Sequence, residues 1–170
     1  ILVRGSGTGA LRWALMSVLK PGSRLLVHKA PIYPTTKVTI ESMGIETEEA
    51  DFNEIEVLRS KLLTMEKKPD AILVQHTRQK IDDSYDFVTV IKTIKDTLPE
   101  VPIITDDNYA ALKVPMIGTQ AGADLSTFSC FKTLGPEGVG LVLGRKDLIE
   151  KIHKWQYSGG SQVQGPEAMA

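Results

Sequence analysis

The feature that most constrains this chain is the alternation of short apolar runs with amphipathic stripes of helical period. Runs suited to buried strands occupy 24–28, 45–49, 71–75, 102–105, 125–129 and 138–143, each bounded by Gly, Pro, Asp or Ser. Between them lie stripes at helical spacing: Leu11, Leu15, Val18 and Leu19; Ile55, Leu58, Leu62 and Met65; Phe87, Val88, Ile91 and Ile94; and Leu148, Ile149 and Ile152. Strands that alternate with helices predict βα units around a mostly parallel sheet, so the fold class is α/β. The last strand follows Lys132 after only a Gly-Pro-Glu-Gly connection, too short for a helical crossover, which predicts that it runs antiparallel to its neighbour.

The 170 residues fit one domain, 1–170, with a substantial core. Lysines and arginines total 20 against 21 acids, which gives no electrostatic ground for nucleic acid or membrane partners and favours a small ligand. The single cysteine, Cys130, has no partner for an internal disulfide, and no stretch reads as a membrane span or signal peptide; a cytoplasmic setting is expected. The chain starts at Ile1 and stops at Ala170, where a helix is expected to begin after Gly165-Pro166. Both ends are expected to be cuts in a longer protein.

In open α/β sheets, chemistry gathers in the loops beyond the carboxyl ends of the strands. Gly5-Ser6-Gly7-Thr8-Gly9-Ala10 opens the first helix, where free N–H groups and the helix dipole favour a phosphate. The same glycines could simply shape a tight turn, with Ser6 or Thr8 as N-cap. They also satisfy the dinucleotide fingerprint, which would make the chain an NADP-binding module; against that, the second strand ends in His28 and Lys29 rather than an acid. Asp106 and Asp107 follow a buried strand, either as solvated turn residues or with one carboxylate facing a cationic ring nitrogen. A metal site is not expected, because the two acids would diverge and no histidine is close in sequence. Ser129-Cys130-Phe131-Lys132 puts a lysine after another strand among apolar and small residues, where a dry loop would make it an amine nucleophile. Cys130 reads as a small buried residue.

Taken together, these motifs resemble the fold-type-I pyridoxal-phosphate (PLP) enzymes, in particular the class V aminotransferases and selenocysteine-synthase-like proteins, and also the cystathionine synthases and lyases. Ser6-Gly7-Thr8 matches the phosphate-binding turn of that superfamily. Tyr33 in Pro31-Ile32-Tyr33-Pro34 looks like its ring-stacking aromatic, and Asp106 in Asp-x-x-Tyr-Ala like the partner of the ring nitrogen. Lys132, three residues beyond the phosphate-binding Ser129, matches its Schiff-base lysine. Phe131 stands where the cystathionine branch has a hydroxyl residue. The run Leu134 to Gly140 and the following Gly144-Arg145-Lys146-Asp147 look more like class V. Gln75-His76-Thr77-Arg78 replaces the Asn-containing turn of many relatives. His76 reads equally as structural or functional, and Arg78 as a contact for substrate carboxylate or cofactor oxygen.

The resemblance implies a three-layer α/β/α large domain with a mostly parallel sheet and one antiparallel strand. It also implies a missing N-terminal arm and C-terminal small domain, and a homodimer in the longer protein. The implied cofactor is PLP, with Lys132 catalytic; Ser6, Gly7, Thr8, Tyr33, Asp106, Ser129 and Lys132 would hold it. The implied activity on an amino acid is transamination first. Carbon–sulfur elimination or γ-replacement in cysteine and methionine metabolism is second, and a non-catalytic relative remains open.

Overall fold

The central apolar runs become strands that bury both faces between layers of helix, whereas the run expected at 45–49 as a buried strand forms an edge strand exposed over most of its length. The computed structural model describes residues 1–163 and 165; the helix expected after Pro166 lies outside them. The strands are β1 (Leu2–Arg4), β2 (Arg24–His28), β3 (Glu46–Ala50), β4 (Ala71–Gln75), β5 (Ile103–Asp106), β6 (Leu125–Ser129) and β7 (Val139–Gly144). The helices are α1 (Ser6–Val18), α2 (Pro34–Ser42), α3 (Ile55–Thr64), α4 (Phe87–Thr97), α5 (Gly118–Ala121) and α6 (Lys146–Gly159). Among the described residues, no helix is long and apolar enough to cross a membrane.

One sheet has the order β1-β7-β6-β5-β4-β2-β3. From β6 to β3 all neighbours are parallel, while β7 is antiparallel to both β6 and β1. The antiparallel strand is therefore where the short connection after Lys132 predicts it. This topology removes the dinucleotide reading. That fold pairs its first two strands side by side in parallel, whereas here β1 lies on the edge of the sheet, against β7.

Alternate residues of each strand feed two cores. Leu25, Val27, Leu73, Ile104, Leu125 and Val142 pack with α1 and α6 on one face. Leu26, Ile72, Val74 and Ile103 pack with α3 and α4 on the other. Three of the four predicted stripes face these cores through Leu11 and Leu15, Leu58 and Leu62, and Ile91 and Ile94, and the last does so through Leu148 and Ile152. Edge strand β3 reads Glu-Thr-Glu-Glu-Ala, with acids that discourage pairing with another chain. Helix α2 has no apolar stripe to announce it; it starts on Pro34 and buries only Thr36, Thr39 and Ile40.

The start of α1 rests directly on β7. The N–H groups of Gly5 and Ser6 donate to the Gly138 carbonyl at 2.8 and 3.1 Å. A Cβ on Gly140 would stand 2.1 Å from the Ser6 carbonyl oxygen and 2.9 Å from Ala10 Cβ. Gly140→Ala is therefore expected to push α1 off the sheet and cost about 1–3 kcal/mol, as overpacking does. The denaturant midpoint measures it, with Gly159→Ala as control because an added Cβ there meets nothing closer than 3.8 Å. Equal midpoints for the two variants would show that α1 does not depend on this contact.

Candidate cofactor site

The parallel strands deliver their following loops to one edge of the sheet, and the start of α1 closes over them from the side. Between them is a cavity of about 440 Å³, whose lining includes Ser6, Gly7, Thr8, Tyr33, Asp106, Ser129 and Lys132. Arg78 lines it as well. His76 does not. It turns away, bonds Asp107 through Nδ1 at 2.8 Å and stacks on Phe87 at 3.7 Å between ring centroids.

At the α1 end, neither Ser6 nor Thr8 caps the helix, contrary to one sequence reading. The N-cap is Gly5 at φ 96°, without a side-chain bond, and Ser6 is itself left-handed at φ 55°. In the first helical turn the N–H groups of Gly7 and Thr8 have no carbonyl one turn back within the helix, so they remain available to an anion. The Thr8 hydroxyl lies 3.1 Å from that of Thr35, tying the turn to the loop that carries Tyr33. Across the cavity, Ser129 Oγ is buried and has no hydrogen-bond partner among the described residues. An orphaned hydroxyl of this kind is costly unless a ligand completes it.

Asp106 and Asp107 diverge as strand alternation requires. Asp107 is fully buried and saturated: Thr105 Oγ1 donates to it at 2.6 Å, the Gly118 N–H at 3.2 Å, and His76 is its third partner. Asp106 faces the cavity. Its Oδ1 accepts from the Asn108 backbone N–H at 3.0 Å and from Asn108 Nδ2 at 2.7 Å. Burial pushes its carboxyl above the ordinary range, against these two bonds and the more distant Lys132. A carboxylate placed so is stabilised when a cationic partner arrives.

Asn108 is the residue that sequence reasoning missed. Its Oδ1 accepts the Ser129 N–H at 2.9 Å, joining the Asp106 and Ser129 loops. A Cβ on Gly7 would fall 2.5 Å from the Asn108 amide atoms, so glycine is required for this close approach. The signal available in sequence was the Asp-x-Asn turn itself.

Lys132 lies in a 3-10 turn, Cys130–Thr133, with Nζ 3.7 Å from the centroid of the Tyr109 ring. Its loop is more open than the sequence suggests. Lys132 is half-buried, Phe131 is 47% exposed and Leu134 wholly so, because little of the described chain packs over this side. Cys130 is half-buried rather than buried, and desolvation pushes its thiol up, away from the reactive thiolate. Tyr109 and Leu134 both hold positive φ, at 66° and 65°, a strain gathered beside the lysine.

Comparison with known proteins accords with this geometry. Residues 1–168 match the aminotransferase class-V family. Over 168 residues the chain is 54% identical to the uncharacterized protein YhfS of Escherichia coli strain K12, covering 99% of this chain and 45% of YhfS. The crystal structure of YhfS, named there as pyridoxal-5'-phosphate dependent, superposes with a TM-score of 0.92 over 98% of this chain and 45% of that one. A Ureaplasma parvum protein named "Probable cysteine desulfurase" is 25% identical over 84% of this chain and 36% of its own length. A carbon-sulfur lyase involved in aluminum resistance from Clostridium novyi shares the fold, at 24% identity and a TM-score of 0.71 over 88% of this chain and 41% of that one. The chain thus spans less than half the length of each of these relatives. It belongs to the aminotransferase class-V family, within the fold-type-I PLP superfamily.

Proposed function

We propose that this chain is the cofactor-binding part of a PLP-dependent enzyme that acts on an amino acid, with Lys132 as the anchoring and proton-carrying amine. The observation that carries the reading is that Lys132, Asp106 and Ser129 Oγ, which has no partner among the described residues, converge on one cavity. The donors fit the cofactor at both ends. The Gly7 and Thr8 N–H groups, the Ser6 hydroxyl and Ser129 Oγ offer neutral donors to a phosphate, and Asp106 offers a half-buried carboxylate to a ring nitrogen. When bound, PLP supplies an aldehyde that condenses with amines and a protonated ring that accepts the electron pair released at the substrate's α-carbon.

The protein's own groups do the rest. Lys132 would anchor the cofactor through its amine, and its Nζ, when not so engaged, would be placed to take and return the α-proton of the substrate. The Tyr109 ring shields one side of that amine from water. Asp106 would stay ionised opposite a ring cation and so favour a protonated ring nitrogen. Tyr33, which lines the cavity, would offer its ring to pack against the cofactor.

Transamination is the first reading of the reaction, supported by the family to which the chain belongs. Carbon–sulfur bond cleavage is the second, supported by the Ureaplasma relative. Release of sulfide from L-cysteine by the purified protein would favour the second. The longer protein is proposed to be a homodimer.

Borohydride reduction of the PLP-treated protein, followed by peptide mapping, is expected to place the pyridoxyl group on Lys132. Modification of Lys29, Lys80 or Lys113 instead would overturn the assignment, and no modification at all would favour a non-catalytic relative. Asp106→Asn separates stability from function. Without the ring, the folded chain holds the Asp106 proton more tightly than the unfolded chain does, so stability falls as pH rises from the ordinary carboxylate value through the raised one. At pH 8 the cofactor-free Asp106→Asn protein is expected to melt at or above the temperature of the parent. Its activity should fall on the order of 10²-fold, as when a preorganised electrostatic partner is removed. A lower melting temperature would show that the charged carboxylate stabilises the empty fold.

A further inference from the structure

Lys132 and Asp106 have roles in the proposed chemistry, and one charged residue of the cavity, Arg78, has none. Arg78 lines the cavity from the loop after β4, and among the described residues it makes no hydrogen bond or ion pair. An exposed arginine on a loose loop would be unremarked, but this loop is fixed on both sides of it. Thr77 Oγ1 donates to the Asn108 carbonyl at 2.9 Å. On the other side, the N–H groups of Gln79 and Lys80 donate to Asp83 Oδ2 at 3.1 and 2.8 Å.

Asp83 is itself buried against His28, with Oδ1 2.9 Å from Nε2. The Phe52 N–H donates to His28 Nδ1 at 3.0 Å, which leaves the ring proton on Nε2, pointing at Asp83. Burial opposes the charge of Asp83, but the bonds from His28, Lys80 and Gln79 win and hold it at about 2. Asn53 Oδ1 accepts from the N–H groups of Ser84 and Tyr85, and the Tyr85 hydroxyl donates back to the Gln75 carbonyl. Arg78 thus projects from a backbone anchored to β2, to β4, to the loop after β3 and to the corner after β5.

Strand order decides which anion it meets. Ser129 ends β6, Asp106 ends β5 and Arg78 follows β4, so Arg78 stands across Asp106 from the phosphate donors. The phosphate is therefore met by neutral groups on one flank, and the guanidinium is left for a second anion on the other. An amino-acid substrate brings that anion as a carboxylate, which a guanidinium binds in bidentate fashion.

We propose that Arg78 is the substrate-recognising residue of this cavity, binding a carboxylate of the amino acid, and that the buried His28–Asp83 pair is the positioning device that holds it there. The inference rests on the amino-acid reading of the site. Its test is calorimetric titration of the protein with succinate, with and without PLP, and of the PLP-free protein with inorganic phosphate. Arg78→Gln is expected to weaken succinate at least tenfold and leave phosphate binding and PLP content unchanged, and Arg78→Lys to recover part of the loss. Asp83→Asn is expected to weaken succinate while Lys132 still takes the cofactor; should that variant not fold, the Arg78 pair decides alone. The inference is overturned by a parent protein that does not bind succinate, by equal succinate affinity in Arg78→Gln, or by a phosphate affinity that drops with it. Failure of PLP to load at Lys132 would instead sink the proposed function, while the titrations without PLP would still test Arg78.

Discussion

Four loops from distant parts of the chain meet on Asn108. Its side chain donates to Asp106 and accepts from the Ser129 N–H, its carbonyl accepts from Thr77, and it fits only because residue 7 lacks a side chain. The groups proposed for the phosphate and the ring nitrogen are thereby fixed relative to one another by the carboxamide of Asn108, and the loop of the proposed substrate residue by its main-chain carbonyl. An amide in such a place is well suited to the role, since it donates and accepts at once and carries no charge of its own to desolvate. The spacing of the cavity depends on this link more than on any single strand.

The adjacent acids show how a strand sorts identical chemistry. Asp107 turns into the protein, where Thr105, Gly118 and His76 satisfy it, and it anchors the corner to α5 and to the end of β4. Asp106 turns into the cavity with a single residue for company, and burial works against its charge. The first arrangement is complete without a ligand. The second is completed by a proton, or by the cation proposed for it.

The two histidine–aspartate partnerships are of the first, closed kind. His76 with Asp107 and His28 with Asp83 are both closed, one stacked on Phe87 and the other boxed by Phe52 and Tyr85. Neither ring reaches the cavity, yet each holds a loop that does. Strain is placed differently: Ser6 and Tyr109, both left-handed, are themselves cavity residues, where backbone strain is held by surrounding contacts and aims groups at a ligand.

The alternation of apolar runs and helical stripes determined the α/β class, the positions of the buried strands within a residue or so, and the antiparallel last strand. Those features follow from local period and from connection length, which a sequence displays directly. The order of motifs along the chain likewise pointed to Ser6, Gly7, Thr8, Tyr33, Asp106, Ser129 and Lys132, and all of them line one cavity. Only the tertiary structure decided that His76 turns away while Arg78 faces in, that the lysine loop is open rather than dry, and that α2 is a helix at all. It alone showed Asn108 as the link and β1 at the sheet edge, which removes the dinucleotide reading. These outcomes depend on which loops are brought side by side, and strand order, unlike strand position, is set by contacts between residues far apart in the chain.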